Sequence, residues 1–162
     1  MNSIDDLISI ERIKQLKSRY FRALDFKEWS VLGGLFTDET LIDFSDQPEL
    51  WEHGPEADRA DPNDWVFTDG VACARAIEPL FANMVTVHHG HDPEINIESE
   101  TSARGTWSLY DRLEFADEIF HGYGHYHEEY ARVDGRWLFS KLVLTRVRCV
   151  WEPRAPVSAE QS

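Results

Sequence analysis

Apolar residues recur every three or four positions through the first part of the chain, at Leu7, Ile10, Ile13 and Leu16 and then at Tyr20 and Leu24, which is the period of one helix face. Ser3 followed by Asp6 reads as a capping pair at its start, so the pattern predicts a helix over residues 4–24. Asp25 with Glu28 makes a second capping pair, and Trp29, Leu32 and Phe36 keep helical spacing, so a short second helix is predicted, weakened by Gly33-Gly34. Residues 40–45 read as a strand. Residues 46–70 are polar and rich in Pro and Asp, with Trp51, Trp65 and Phe67 as apolar anchors, and are expected to form a long loop that covers a binding site. A further helix is predicted at 71–82, kinked or ended by Pro79.

Beyond residue 84 the period changes to two. Strands are predicted at 85–91 with 94–98, at 103–115, at 123–133 and at 137–151, and Asp134-Gly135 is a strong tight-hairpin signal between the last two. Helices followed by long antiparallel strands imply an α+β domain, a curved antiparallel sheet wrapped on its N-terminal helices. One domain is expected over 1–152, with a flexible tail at 153–162.

Charge narrows the function classes. The 30 acidic against 16 basic residues give a formal net charge of −14, a field that repels phosphate backbones and anionic lipid, so nucleic acid and membrane surfaces are disfavoured partners and a neutral or cationic small ligand fits better. Cys73 and Cys149 stand alone and suggest neither a disulfide framework nor a zinc knuckle, which makes a reducing, cytoplasmic setting the default. The acidic start MNSIDDLISIERIK does not read as a secretory signal, and no apolar run is long enough for a transmembrane span.

Several polar residues sit on apolar faces. In the strand 103–115, Ala103, Gly105, Trp107, Leu109, Asp111 and Leu113 share one side, so Asp111 is a carboxylate turned toward the core with Trp107 beside it as a candidate pocket wall. Such a group must be paired, hydrogen-bonded or neutral. Arg146 alternates with Leu138, Leu142 and Leu144 in the same way, and a purely structural ion pair with Asp111 explains the pattern as well as a functional one does. Histidines cluster at His88, His89 and His91 and at His121, His125 and His127. Of the adjacent His88 and His89 only one can face the core side, where a neutral imidazole beside a carboxylate is an acid/base near neutral pH. A zinc site is the rival, but His88 and His91 fall on opposite faces of a regular strand and no HExxH is present. Tyr20 is explained by core packing and Asp25 by capping; five residues apart, they diverge by about 140° on one continuous helix and meet only if the helix ends between them.

The segments YFRALD, GHDPEI, ESET and DRL, set within residues 4–151, resemble the SnoaL-like group of the nuclear-transport-factor-two superfamily. Within it the likeness is greatest to the bile acid 7-alpha-dehydratases and more distant to scytalone dehydratase and ketosteroid isomerase. The resemblance implies a cone-shaped, cystatin-like α+β barrel around an apolar pocket. It implies proton-transfer chemistry without cofactor or metal, and a homo-oligomer, dimer or trimer. Carried over by position, it makes Tyr20, Asp25 and His88 catalytic and puts Asp111 and Arg146 in the substrate pocket. The expected activity is a cofactor-independent dehydratase acting on a small hydrophobic cyclic, steroid-like hydroxy-ketone. An isomerase of the same class and a non-catalytic small-molecule-binding protein are the alternatives. The 46–70 loop is longer and more acidic than in those dehydratases, and His89, His125 and His127 have no counterpart there. The oligomer is expected to form through the outer sheet face, where Arg104, Ser108, Tyr110 and Arg112 alternate outward.

Overall fold

In the computed structural model of the chain, residues 3–46 and 61–155 are described. Helix α1 (Ile4–Asp25) opens on the capping box that its sequence announces: the Asp6 amide donates to Ser3 Oγ at 3.1 Å and the Ser3 amide donates to Asp6 Oδ2 at 2.8 Å. Its buried stripe runs through Ile13, Leu16, Tyr20 and Leu24, while Leu7 is exposed. Helix α2 (Trp29–Gly33) follows, with Glu28 at its N-cap and no side-chain cap bond. The expected break before Asp25 is therefore corrected: Asp25 is the last residue of α1 and caps nothing, because donors on a strand claim its carboxylate.

The strands are β1 (Phe36–Asp43), β2 (Val66–Phe67), β3 (Val85–Ile97), β4 (Ser102–Glu114), β5 (Glu118–Val133) and β6 (Arg136–Pro153), with helix α3 (Gly70–Phe81) between β2 and β3. They form one sheet in the order β2-β1-β6-β5-β4-β3, antiparallel throughout except that β1 runs parallel to β6. The edges β2 and β3 do not pair, so the expected barrel is an open sheet; α1 packs on β3 and β6 and covers the inner face instead. Register shifts between His91 and Glu94, between Tyr123 and Gly124 and between Glu129 and Tyr130 bend the long strands.

Three boundaries differ from the sequence pattern. The interruption predicted between 85–91 and 94–98 is a bulge inside one strand, with a left-handed Asp92 (φ 46°). Phe36, whose spacing continues α2, starts β1 and packs on Phe139 with ring centroids 5.3 Å apart. The stretch expected as loop carries a 3-10 turn at Pro62–Trp65, the strand β2 and the first residue of α3, which Asp69 caps by accepting from the Val71 amide at 2.6 Å; residues 47–60, with Trp51, lie outside the described residues. The hairpin forms where Asp134-Gly135 predicts it, with φ of 49° and 78°. At the other end, the Arg154 amide donates to the Asp117 carbonyl at 2.8 Å and its guanidinium reaches Glu114 at 3.1 Å, so the chain is held past the expected tail boundary. Among the described residues no helix is long and apolar enough to cross a membrane.

Candidate active site

Strand register brings the polar residues of the inner face together. In the β3–β4 ladder His88 stands directly opposite Asp111, and in the β4–β5 ladder Asp111 stands opposite Gly122. Alternation turns His88 and Asp111 inward, where both are buried, and leaves His89 exposed on the other side.

Asp25 meets His88 from the end of α1. Its Oδ1 lies 2.7 Å from His88 Nδ1, its Oδ2 accepts from the His88 amide at 3.1 Å, and its Oδ1 also accepts from Thr86 Oγ1 at 3.0 Å. Thr86 in turn accepts from Lys27 Nζ at 2.7 Å. A carboxylate so placed fixes the proton of the neutral imidazole on Nδ1 and leaves Nε2 as the free base. His88 lines a cavity, and its Nε2 has no hydrogen-bond partner among the described residues. Tyr20 lines that cavity directly, whereas Asp25 does not. The divergence of the two along α1 thus needs no helix break, because Asp25 enters the site only through His88.

The cavity lies between α1, α2, α3 and the inner sheet face, with Tyr20, Tyr126, His88, Asp111, Arg146 and Trp65 among its walls and mostly aliphatic and aromatic side chains completing them. About 560 Å³ of space lies between these atoms, part of it open to solvent, and the centre of a water molecule can reach about 40 Å³ of it. It therefore holds a few waters as it stands and admits a ring compound only as side chains give way.

On the sheet beside His88, Arg146 Nη1 and Nη2 donate to Asp111 Oδ1 and Oδ2 at 3.0 and 2.7 Å, a two-pronged pair with side chains only 6% and 3% exposed. Gly122 makes this possible: a Cβ there would lie 2.0 Å from Asp111 Oδ1 and 2.3 Å from Arg146 Nη1. Burial works against the guanidinium charge, and Asp111 more than offsets it, so the Arg146 pKa is raised. Tyr20 and Tyr126 sit edge to face with ring centroids 6.1 Å apart, and desolvation above all holds both phenols well above the ordinary tyrosine range, so they are neutral hydrogen-bond donors.

Trp107 is corrected as a pocket wall. It shares the inner face with Asp111 but lies four residues along β4, roughly 13 Å away by strand rise, where its indole donates to Tyr130 Oη at 2.9 Å in the core. His121 lies between Tyr110 Oη at 2.9 Å and Glu152 at 3.0 Å, and His127 contacts Thr145 Oγ1 at 3.0 Å; neither histidine lines the cavity. Among the described residues no three His, Cys, Asp or Glu side chains converge as a metal-ligand set.

Sequence reasoning missed Thr86, Gly122, Tyr126 and a second buried pair, Lys17 with Glu128. Lys17 interrupts the apolar stripe between Ile13 and Tyr20, and Glu128 alternates with Tyr126 and Tyr130, the same signal that singled out Asp111.

The fold and this geometry can be set beside known proteins. A family model for the SnoaL-like domain matches residues 5–143. A candidate scytalone dehydratase from Novosphingobium aromaticivorans superposes with a TM-score of 0.74 at 20% identity, covering 98% of this chain and 97% of that one. A type 2 hexachlorocyclohexane dehydrochlorinase, LinA, gives 0.72 at 19% identity over 96% and 95% of the two chains. The type 3 LinA of Novosphingobium barchaimii gives 0.70 at 18% identity over 96% and 97%.

Proposed function

The chain belongs to the SnoaL-like domain family, and from that membership and the site geometry we propose that it is a cofactor-free lyase or isomerase acting on a small, uncharged, hydrophobic ring ketone. The observation that carries the reading is the 2.7 Å contact between Asp25 Oδ1 and Nδ1 of His88, a histidine that lines a mostly apolar cavity. In the dehydratase form, Nε2 takes a proton from the carbon beside the carbonyl, and the electron pair moves onto the carbonyl oxygen, where a tyrosine hydroxyl donates to the growing charge. The imidazolium, stabilised by Asp25, then gives that proton to the departing β-hydroxyl. The C–O bond breaks, water leaves and the enone remains. Delivery of the proton to another carbon instead gives the isomerase form. The names of two structural neighbours, a dehydratase and a dehydrochlorinase, both denote eliminations, which favours the lyase form.

Substrate charge and size follow from the walls. Arg146 is matched by Asp111, so the pair offers no surplus cation to a carboxylate or phosphate, and the chain carries a net charge of −14. The narrow cavity favours one or two rings over a steroid nucleus. Proton NMR in D2O with a panel of one- and two-ring β-hydroxy ketones and their enones tests the proposal. Wild-type protein is expected to eliminate water from, or exchange the α-proton of, at least one member, and His88→Gln to slow that reaction by about 10²–10⁴-fold. A panel left untouched, or a His88→Gln variant as fast as wild type, contradicts it.

A further inference from the structure

A second buried ion pair lies beside the cavity without lining it. Lys17 on α1 pairs with Glu128 on β5, with side chains 1% and 0% exposed. Glu128 also accepts from the Tyr130 hydroxyl, which accepts from the Trp107 indole at 2.9 Å. The Lys17 ammonium lies 3.3 Å from the centroid of the Tyr126 ring, against 4.6 Å for Tyr20, 4.7 Å for Phe21 and 5.7 Å for Phe139. Tyr126 itself lines the cavity, and its phenol feels the charges of Asp111 and Arg146.

Stability alone is a poor account of this arrangement, because a buried ion pair replaced by apolar groups of similar volume commonly leaves a protein as stable or more so. What a methionine at position 17 could not do is place a positive charge on the face of one particular phenol ring. An ammonium there is attracted by the ring and withdraws electron density from it, and the effect grows when both are desolvated. We propose that Lys17 is a positioning residue of the site, held by Glu128 so that its ammonium fixes the Tyr126 ring and strengthens the Tyr126 hydroxyl as a donor to negative charge forming on a ligand oxygen in the cavity. The inference rests on reading the cavity as a place where such charge develops, but not on His88 acting as the base.

The titratable groups facing Lys17 are Glu128, Tyr126 and Tyr130 on β5 and Tyr20 on its own helix; Phe21 and Phe139 complete the enclosure. Desolvation lowers the Lys17 pKa to about 8 against the opposing pull of Glu128, so the ammonium, and with it the donor strength of Tyr126, is lost as pH rises through that value.

Absorbance titrations with 4-nitrophenolate, an aromatic oxyanion, over mildly alkaline pH where the probe is already ionised, test this. Wild-type affinity is expected to fall roughly tenfold as pH passes the Lys17 titration. Tyr126→Phe is expected to bind more weakly and to lose that pH dependence. Lys17→Met alone strands Glu128, so it is combined with Glu128→Gln; this double variant is expected to behave like Tyr126→Phe, and the triple variant to be no weaker than Tyr126→Phe alone. No binding to the wild type, a pH dependence that persists in Tyr126→Phe, or losses that add in the triple variant would each overturn the proposal. If the double variant fails to fold, the comparison of wild type with Tyr126→Phe still decides. His88→Gln is expected to retain the pH dependence, so failure of the base chemistry and failure of this proposal are separate results.

Discussion

Two ion pairs are buried on the inner face of the same sheet and behave as opposites. Arg146 and Asp111 meet at the cavity wall, reaching from β6 and β4 over Gly122 of the strand between them. Lys17 and Glu128 meet between helix and sheet, enclosed by aromatic rings and without access to the cavity. Each is nearly free of solvent, so each obeys the same electrostatics: little net stability from the pair, a large penalty for leaving one member alone. The difference lies in what the charge can reach. The first pair sets the polarity a ligand meets, while the second acts on a ligand only through the ring of Tyr126.

The largest expected effects come from stranding a charge. Asp111→Ala takes the two-pronged carboxylate away from the buried Arg146 guanidinium and Lys17→Met takes the ammonium away from buried Glu128, and each is expected to cost about 3–5 kcal/mol in urea unfolding. Removing both charges separates the two sites. Lys17→Met with Glu128→Gln is expected to recover most of the lost stability and to retain measurable turnover, whereas Asp111→Asn with Arg146→Met recovers stability while losing turnover. Equal turnover in the two double variants would break the comparison. Gly122→Ala comes next. A methyl group placed 2.0 Å from Asp111 Oδ1 must displace the pair, and an overpacking cost of about 1–3 kcal/mol is expected, with a larger fractional loss of activity than of stability.

Per pH unit, the smallest effect is a pH dependence with a definite sign. Burial brings the Lys17 pKa down from its ordinary 10.5 to about 8 in the folded protein. Between those values the unfolded chain holds the extra proton, and stability rises with pH wherever that is so. Wild type is therefore expected to gain on the Lys17→Met, Glu128→Gln variant by at most about 1.4 kcal/mol per pH unit over that window, and less near its ends. Above it, the raised tyrosine pKa values reverse the trend in both proteins, because their phenols ionise first in the unfolded chain. Chemical denaturation of both proteins at matched pH values checks the difference; a wild type that loses ground over this window contradicts the account of Lys17.

Much of this site is written in alternation. The period of two places His88 and not His89, and Asp111 and not Tyr110, on the inner face, and it carries Arg146 across from β6. Capping grammar located α1, and turn chemistry located the 134–135 hairpin. The same grammar misled at Asp25, because a carboxylate at a helix end satisfies a cap rule and a histidine hydrogen bond equally well in sequence, and only the long-range approach of β3 decides between them. Trp107 shows the complementary failure: facing inward is a property of register, but lining a cavity depends on position along the strand and on which helix lies overhead. Tyr126 and Lys17 were hidden for another reason. One is an aromatic on a core face and the other a lone cation in an apolar stripe, and their significance arises only when α1 is laid across β5.

The central claim is that Asp25 holds His88 with its proton on Nδ1 and its base nitrogen toward the cavity. The most direct test is the ¹⁵N spectrum of the His88 imidazole in ligand-free protein, at a pH where the ring is neutral, compared with the Asp25→Asn variant. The account predicts a protonated Nδ1 and an unprotonated Nε2 in the wild type, with that preference weakened or lost in Asp25→Asn. A wild-type His88 protonated on Nε2, or a tautomer indifferent to Asp25→Asn, would contradict it.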